Sequence, residues 1–141
     1  MDYLITESQL KVIVEEEQKV LHIPDIKIFG GWDGLQIFLE SKGNPLYSLG
    51  GDLYLNDSTI KSLGNLTSVG GDLDLFFTPI ESLENLTSVG GNLDLYDSSI
   101  ESLGNLTFVG GDLYLIGTPI SKKYSKEEIR QMVNVGGDIY L

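Results

Sequence analysis

The sequence predicts a β-rich solenoid, a stack of near-identical coils, and three observations predict it. A Gly-Gly pair recurs at Gly50-Gly51, Gly70-Gly71, Gly90-Gly91 and Gly110-Gly111, a fixed period of twenty. Periods in the twenties mark repeat architectures in which one supersecondary unit stacks on copies of itself. After each pair comes a Leu-x-Leu run, at Leu53/Leu55, Leu73/Leu75, Leu93/Leu95 and Leu113/Leu115. Strand side chains alternate, so both leucines point inward and the residue between them faces out. The third observation is an aliphatic set that returns in phase. Leu49, Val69, Val89 and Val109 precede the glycines, Ile60, Ile80, Ile100 and Ile120 close a turn, and Leu63, Leu83, Leu103, Leu66, Leu86 and Leu106 form the back of the coil. The glycine pairs are expected to supply positive φ and close stacking of neighbouring coils.

At 141 residues the chain reads as one domain. It divides into an N-terminal cap at 1–45, coils at 46–120 and a C-terminal helix and strand at 121–141. The formal net charge of -12 is concentrated on the coils, where residues 50–115 hold ten acids and one base, Lys61. Such a surface repels phosphate, so nucleic acid and anionic membrane are poor partners, and basic or mixed protein surfaces are better ones. The absence of cysteine excludes disulfides, thiolate metal sites and cysteine nucleophiles. MDYLITESQL does not read as a signal peptide, and no apolar run approaches membrane-spanning length, so a cytoplasmic location is expected.

Thr6 opens a helix signal, with Thr6 and Gln9 as capping box, Glu7 in the first turn, and Leu10, Ile13 and Val14 on one face. It is expected to end before His22-Ile23-Pro24 and to cover one end of the stack; the competing reading is a detachable recognition peptide. Residues 25–29 and 35–39 alternate around the glycine-rich stretch 30–34, which predicts a β-hairpin. Leu35-Gln36-Ile37 also reads as a worn first copy of Leu53-Tyr54-Leu55, and Trp32 as a lid on the core end. After Pro119-Ile120 the phase breaks. Ser125 and Glu128 form a second capping box, with Ile129, Met132 and Val133 apolar, and Gly136-Gly137 then restarts the repeat 26 residues after Gly110.

Leu73-Asp74-Leu75-Phe76-Phe77-Thr78-Pro79-Ile80 resembles the LxLxxNxL segment of leucine-rich repeats, over about residues 46–120. The resemblance implies parallel β-strands, one per coil, and protein binding. The family's buried asparagine is replaced by Ser58, Thr78, Ser98 or Thr118, hydroxyls that are expected to accept a backbone bond in the turn and to make a thinner ladder. A period of twenty leaves room for little or no convex helix. LITESQLKVIVEEE, at the start of the chain, is similar to leader segments of some bacteriophage-encoded proteins.

The outward positions stack into columns about 4.8 Å apart. Asp52, Asp72, Asn92, Asp112 and Asp138 form one, Tyr54, Asp74, Asp94, Tyr114 and Tyr140 the next, and Asn56, Phe76, Tyr96 and Ile116 a third. The candidate partner-binding residues are Asp52, Tyr54, Asp72, Asp74, Phe76, Phe77, Asp94, Tyr96, Asp112 and Tyr114. The bland reading is a solvated acidic sheet that prevents lateral aggregation. Calcium β-rolls use a nine-residue period, so a metal site is not expected, nor any cofactor. Asn65-Leu66-Thr67 and its copies at Asn85 and Asn105 match the glycosylation pattern but read better as turn residues. His22 is the only histidine and stands outside the coils, so catalysis finds no constellation. The expected function is non-catalytic protein interaction through the sheet face. The alternative is a structural or assembly protein, self-associating through its ends at Ile139, Tyr140 and Leu141.

Overall fold

The structure, a computed structural model, describes residues 20–141. The helix expected from Thr6 lies outside the described residues. Among the described residues eleven short strands form two all-parallel sheets. The first sheet runs β1 (Leu21–Ile23), β2 (Tyr47–Leu49), β4 (Leu66–Val69), β6 (Ser88–Val89), β8 (Phe108–Val109) and β10 (Asn134–Val135). The second runs β3 (Leu53–Tyr54), β5 (Leu73–Asp74), β7 (Leu93–Asp94), β9 (Leu113–Tyr114) and β11 (Ile139–Tyr140). Register follows the period: Val69 pairs with Val89 and Leu73 with Leu93, so each strand lies against its own copy in the next coil. This is a β-rich, solenoid-like arrangement.

Each coil contributes two strands, where one was expected. The aliphatic residue before the glycines ends a strand of the first sheet, and the Leu-x-Leu run starts one of the second. The Gly-Gly pair is the corner between them, and its reason also differs from expectation. None of these corner glycines has positive φ. They are required by close approach. A Cβ on Gly70 would fall on the carbonyl oxygen of Gly50, and one on Gly71 would fall on the Asp52 carboxylate. The same two clashes recur at every later corner. Between the sheets the inward positions form a continuous core, with Leu73, Leu75, Ile80, Leu83, Leu86 and Val89 wholly buried. Residues 46–119 contain no helix.

Two of the turn hydroxyls, Ser58 and Thr118, accept a backbone amide as expected, Thr118 from Ser121 at 3.2 Å, and the two threonines also donate within their own coil. Thr78 Oγ1 donates to the Leu75 carbonyl at 2.8 Å and Thr118 Oγ1 to that of Leu115 at 2.6 Å. Ser98 Oγ is buried without a partner among the described residues, and half-buried Ser58 accepts from the Ile60 amide at 3.4 Å. The polar ladder between coils lies elsewhere. Asn65 Nδ2 donates to the Asn44 carbonyl, Asn85 Nδ2 to Asn65 Oδ1, and Asn105 Nδ2 to the Glu84 carbonyl. Thr67, Thr87 and Thr107 each donate to the carbonyl one coil back. The Asn-Leu-Thr triplets are therefore inter-coil ties.

The predicted hairpin does not form. The Asp25 side chain accepts from the Lys27 amide and caps a 3-10 turn, Ile26–Phe29, that Gly30 ends at φ 76°. Residues 32–41 are instead a helix, α1 (Trp32–Ser41). Leu35 and Leu39 stand one helical turn apart and are both buried, whereas Ile37, which a strand would bury with them, is 70% exposed. Five residues fit period 2 and period 3.6 equally, and packing selected the helix. Phe29 and Phe38 stack at 4.6 Å, and Trp32 packs against the end of the core. At the other end α2 (Lys126–Met132) has the predicted capping box, Ser125 and Glu128 bonding reciprocally. Ile129 and Val133 are buried while Met132 is exposed. β10 and β11 then resume the register, Val135 on Val109 and Ile139 on Leu113. Arg130 donates to the carbonyls of Val135 and Gly137, tying α2 to the last corner. Among the described residues no helix is long and apolar enough to cross a membrane.

Candidate functional site

The candidate residues lie on the outer face of the second sheet and its following turn, and the columns do different work. In the first column Asp52 Oδ1 accepts the Asp72 amide at 2.7 Å. Asp72 Oδ1 does the same for Asn92, Asn92 Oδ1 for Asp112, and Asp112 Oδ1 for Asp138, each at 2.8 Å. This ladder satisfies one corner amide per coil, and the second glycine of each pair leaves room for its oxygen. Asp52, Asp72 and Asp112 are thus construction as well as surface. A ladder that admits Asn92 needs the side-chain oxygen, not the charge. The second oxygens of Asp52 and Asp112 hold tyrosines: Tyr54 donates to Asp52 Oδ2 at 3.1 Å and Tyr114 to Asp112 Oδ2 at 3.3 Å.

In the second column Asp74 and Asp94 stand side by side in register. Each turns one oxygen to the amide two residues on, Asp74 to Phe76 at 3.0 Å and Asp94 to Tyr96 at 2.9 Å. Burial pushes the Asp94 carboxyl above its ordinary value, the Tyr96 amide pulls it back, and the neighbouring Asp74 charge adds to the rise. The tyrosines are also raised: Tyr54 first by its bond to Asp52, Tyr114 first by desolvation, and Tyr140 first by the Asp138 charge. Tyr140 stacks on Tyr114 at 4.8 Å and 6°. Of the end residues, Ile139 is buried in the core and Leu141 is partly buried against it, which leaves Tyr140 as the exposed member.

The third column holds the aromatic cluster. Phe76 and Tyr96 stack at 5.2 Å, Phe76 and Phe77 lie 4.3 Å apart, and Phe77 meets Tyr96 edge-on at 6.3 Å. Phe77 is half exposed and takes φ 56°. Its counterparts in the other coils are Asp57, Asp97 and Gly117, all with positive φ. Aspartate and glycine enter this left-handed region readily, and a bulky aromatic does so at a cost. The sequence pattern missed that strain, although the alignment of Phe77 with two aspartates and a glycine carried the signal. The cluster, flanked by Asp74, Asp94 and Asp97, offers ring faces and edges to an apolar or cationic group.

Among the described residues no three carboxylate or imidazole groups gather as metal ligands. The carboxylates of Asp52, Asp72, Asp74, Asp94 and Asp112 instead turn an oxygen to a backbone amide. His22 Nδ1 lies 2.5 Å from Ser48 Oγ at the start of the first sheet, away from this face. Comparison with family models, with curated proteins and with solved structures finds no significant match to the chain.

Proposed function

We propose that the chain is a leucine-rich-repeat-like solenoid serving as a non-catalytic protein-interaction module. In this reading the outer face of the second sheet meets a basic or mixed partner surface, with Phe76, Phe77 and Tyr96 as the apolar anchor and Asp74 and Asp94 as the charged flank. The observation that carries it is Phe77: a half-exposed aromatic held in a left-handed backbone where its equivalents are aspartate or glycine. Backbone strain of this kind is held in place by the surrounding packing and clusters at binding and active sites. Exposed aromatics grouped with charge are also the composition of binding hot spots.

The test is affinity capture with the wild type, Phe77→Asn, and the double variant Asp74→Asn/Asp94→Asn. Asparagine tolerates the left-handed region and keeps the turn-capping oxygen, so all three proteins are expected to fold. A specific partner should be lost with Phe77→Asn and weakened, with less salt dependence, by the double variant. A partner held equally by all three proteins, or none captured by the wild type, counts against this face.

A further inference from the structure

The two sheets do not begin together. β1 gives the first sheet a strand in the coil before β2, whereas the second sheet starts one coil later, with β3. After β1 the chain turns at Pro24 and leaves as the 3-10 turn capped by Asp25, so no strand lies beside β3 on that side among the described residues.

Everywhere else along the second sheet, coil docks on coil by three features. The corner amides of Asp72, Asn92, Asp112 and Asp138 are bonded by a side-chain oxygen from the coil before. That oxygen sits in the space left by the second glycine, at Gly71, Gly91, Gly111 and Gly137. The strand carbonyls then accept leucine amides of the preceding coil, as Asp72 and Asp74 do from Leu53 and Leu55. At β3 all three features are present and unused. No hydrogen bond among the described residues reaches the Asp52 amide or the carbonyls of Asp52 and Tyr54. Gly51 holds no side-chain oxygen, and a Cβ there would come no nearer than 3.9 Å to another atom, the Pro24 carbonyl oxygen. A cleft of about 330 Å³ lies at this edge, between Asp52–Leu55 and the cap residues Ile26, Lys27 and Trp32.

We propose that the β3 edge is a strand-addition site for one extended segment of a partner protein, running parallel to β3 and obeying the repeat's own rule. An asparagine side chain seats against Gly51 and accepts the Asp52 amide. An apolar, an outward and a second apolar residue follow, the apolar amides donating to the carbonyls of Asp52 and Tyr54. The outward residue joins the column of Tyr54 and Asp74, where the charges of Asp52, Asp72 and Asp74 already act on Tyr54, so it is lysine or arginine. The same charges select asparagine over aspartate. A second copy of the domain does not fit as a body, because β1 already fills the matching place on the first sheet. The site is separate from the aromatic cluster and does not depend on it. Main-chain bonds give such a strand its affinity and alternate side chains its specificity.

The probe is a labelled synthetic peptide, Val-Gly-Gly-Asn-Leu-Lys-Leu-Tyr-Asp, which is residues 89–97 carrying Asp94→Lys. Fluorescence anisotropy measures its binding to the full chain, and hydrogen exchange follows the Asp52 and Tyr54 amides. Saturable binding with slowed exchange of both amides is expected. Gly51→Ala meets no clash, so its melting temperature should be unchanged while affinity falls at least about tenfold. Tyr54→Pro, which removes an edge amide that the fold does not use, should lose binding likewise. Phe77→Asn should leave it intact. Absence of binding, or equal binding to Gly51→Ala, overturns the proposal. Protection of Asp52 and Tyr54 before peptide is added does so too, by assigning the edge to the chain's own segment.

Discussion

At residue 77 the backbone stands at φ 56°, a region entered by Asp57 at 58°, Asp97 at 52° and Gly117 at 78° in the equivalent turns. Placing an aromatic there costs on the order of 1–2 kcal/mol. Its ring contacts with Phe76 and Tyr96 return about 0.5–1.5 kcal/mol. Phe77→Asn is therefore expected to leave stability within about 1 kcal/mol of wild type in urea unfolding, so that any loss of binding is a loss of contact. Glu84 is the second strained residue, at φ 52° where Gly64 and Gly104 stand in the adjacent coils. Glu84→Gly should raise stability by roughly 0.5–1 kcal/mol, and a decrease would mean that its bond from Ser62 matters more than the backbone. Tyr47 gives a pH signature. Its buried hydroxyl donates to the Leu63 carbonyl at 3.1 Å, and burial pushes it up to about 12. A group raised in the folded state contributes fully below its unfolded value and loses that contribution as pH rises through the folded one. Alkaline unfolding should thus set in between pH 10 and about 12, and Tyr47→Phe should move its midpoint upward. An unchanged midpoint would assign the transition to other tyrosines.

At the scale of one coil, the Gly-Gly-Asp corner behaves as a single device. The first glycine admits the neighbouring backbone, the second admits the neighbouring side chain, and the aspartate supplies that side chain to the coil that follows. Asp72→Ala leaves the Asn92 amide without its partner and is expected to cost about 1–2 kcal/mol. Asp72→Asn keeps the oxygen, as Asn92 itself does, and should be neutral or stabilising by denaturant titration. If the two substitutions cost the same, charge and not the hydrogen bond is what the column supplies. The period, the core and the second capping box were legible because each rests on in-phase or local spacing. The corner was read only in part. The glycines announced close approach, but which backbone and which carboxylate they admit depends on the coil before, a contact twenty residues away. Residues 25–41 were misread for a different reason. Leu35, Ile37 and Leu39 suit a strand as well as a helix, and Asp25 with Gly30 and Gly31 settles the matter through turn geometry that hydrophobic alternation does not encode. Within the candidate site, the columns followed from alternation, whereas the division between structural acids and the aromatic cluster did not.

Over the whole molecule, stacking in register aligns like charges as faithfully as it aligns leucines. Asp74 and Asp94 are paired directly, and the coils carry a large excess of acid. Two charges about 5 Å apart repel by roughly 0.8 kcal/mol in water, more near a protein surface. The Asp94 carboxyl is raised chiefly by burial, the Tyr96 amide pulls it back, and the Asp74 charge adds a smaller rise. Because its folded value lies above the unfolded one, the folded chain holds this proton more tightly. Stability from this group is therefore greatest below the unfolded carboxylate value and falls as pH rises through the folded one. The chain should melt higher at mildly acidic pH than at neutrality, and higher in about 0.5 M salt than in about 10 mM, where the screening length is near 30 Å. Asp74→Asn/Asp94→Asn removes the pair while keeping both turn-capping oxygens, so it should raise the melting temperature at neutral pH and flatten both dependences. Should the double variant melt lower, the carboxylate charges are holding the turn at Phe76 and Tyr96 more strongly than they repel one another. The acidic face would then be a stabilising part of the coil, and the case for a basic partner would rest on the aromatic cluster alone.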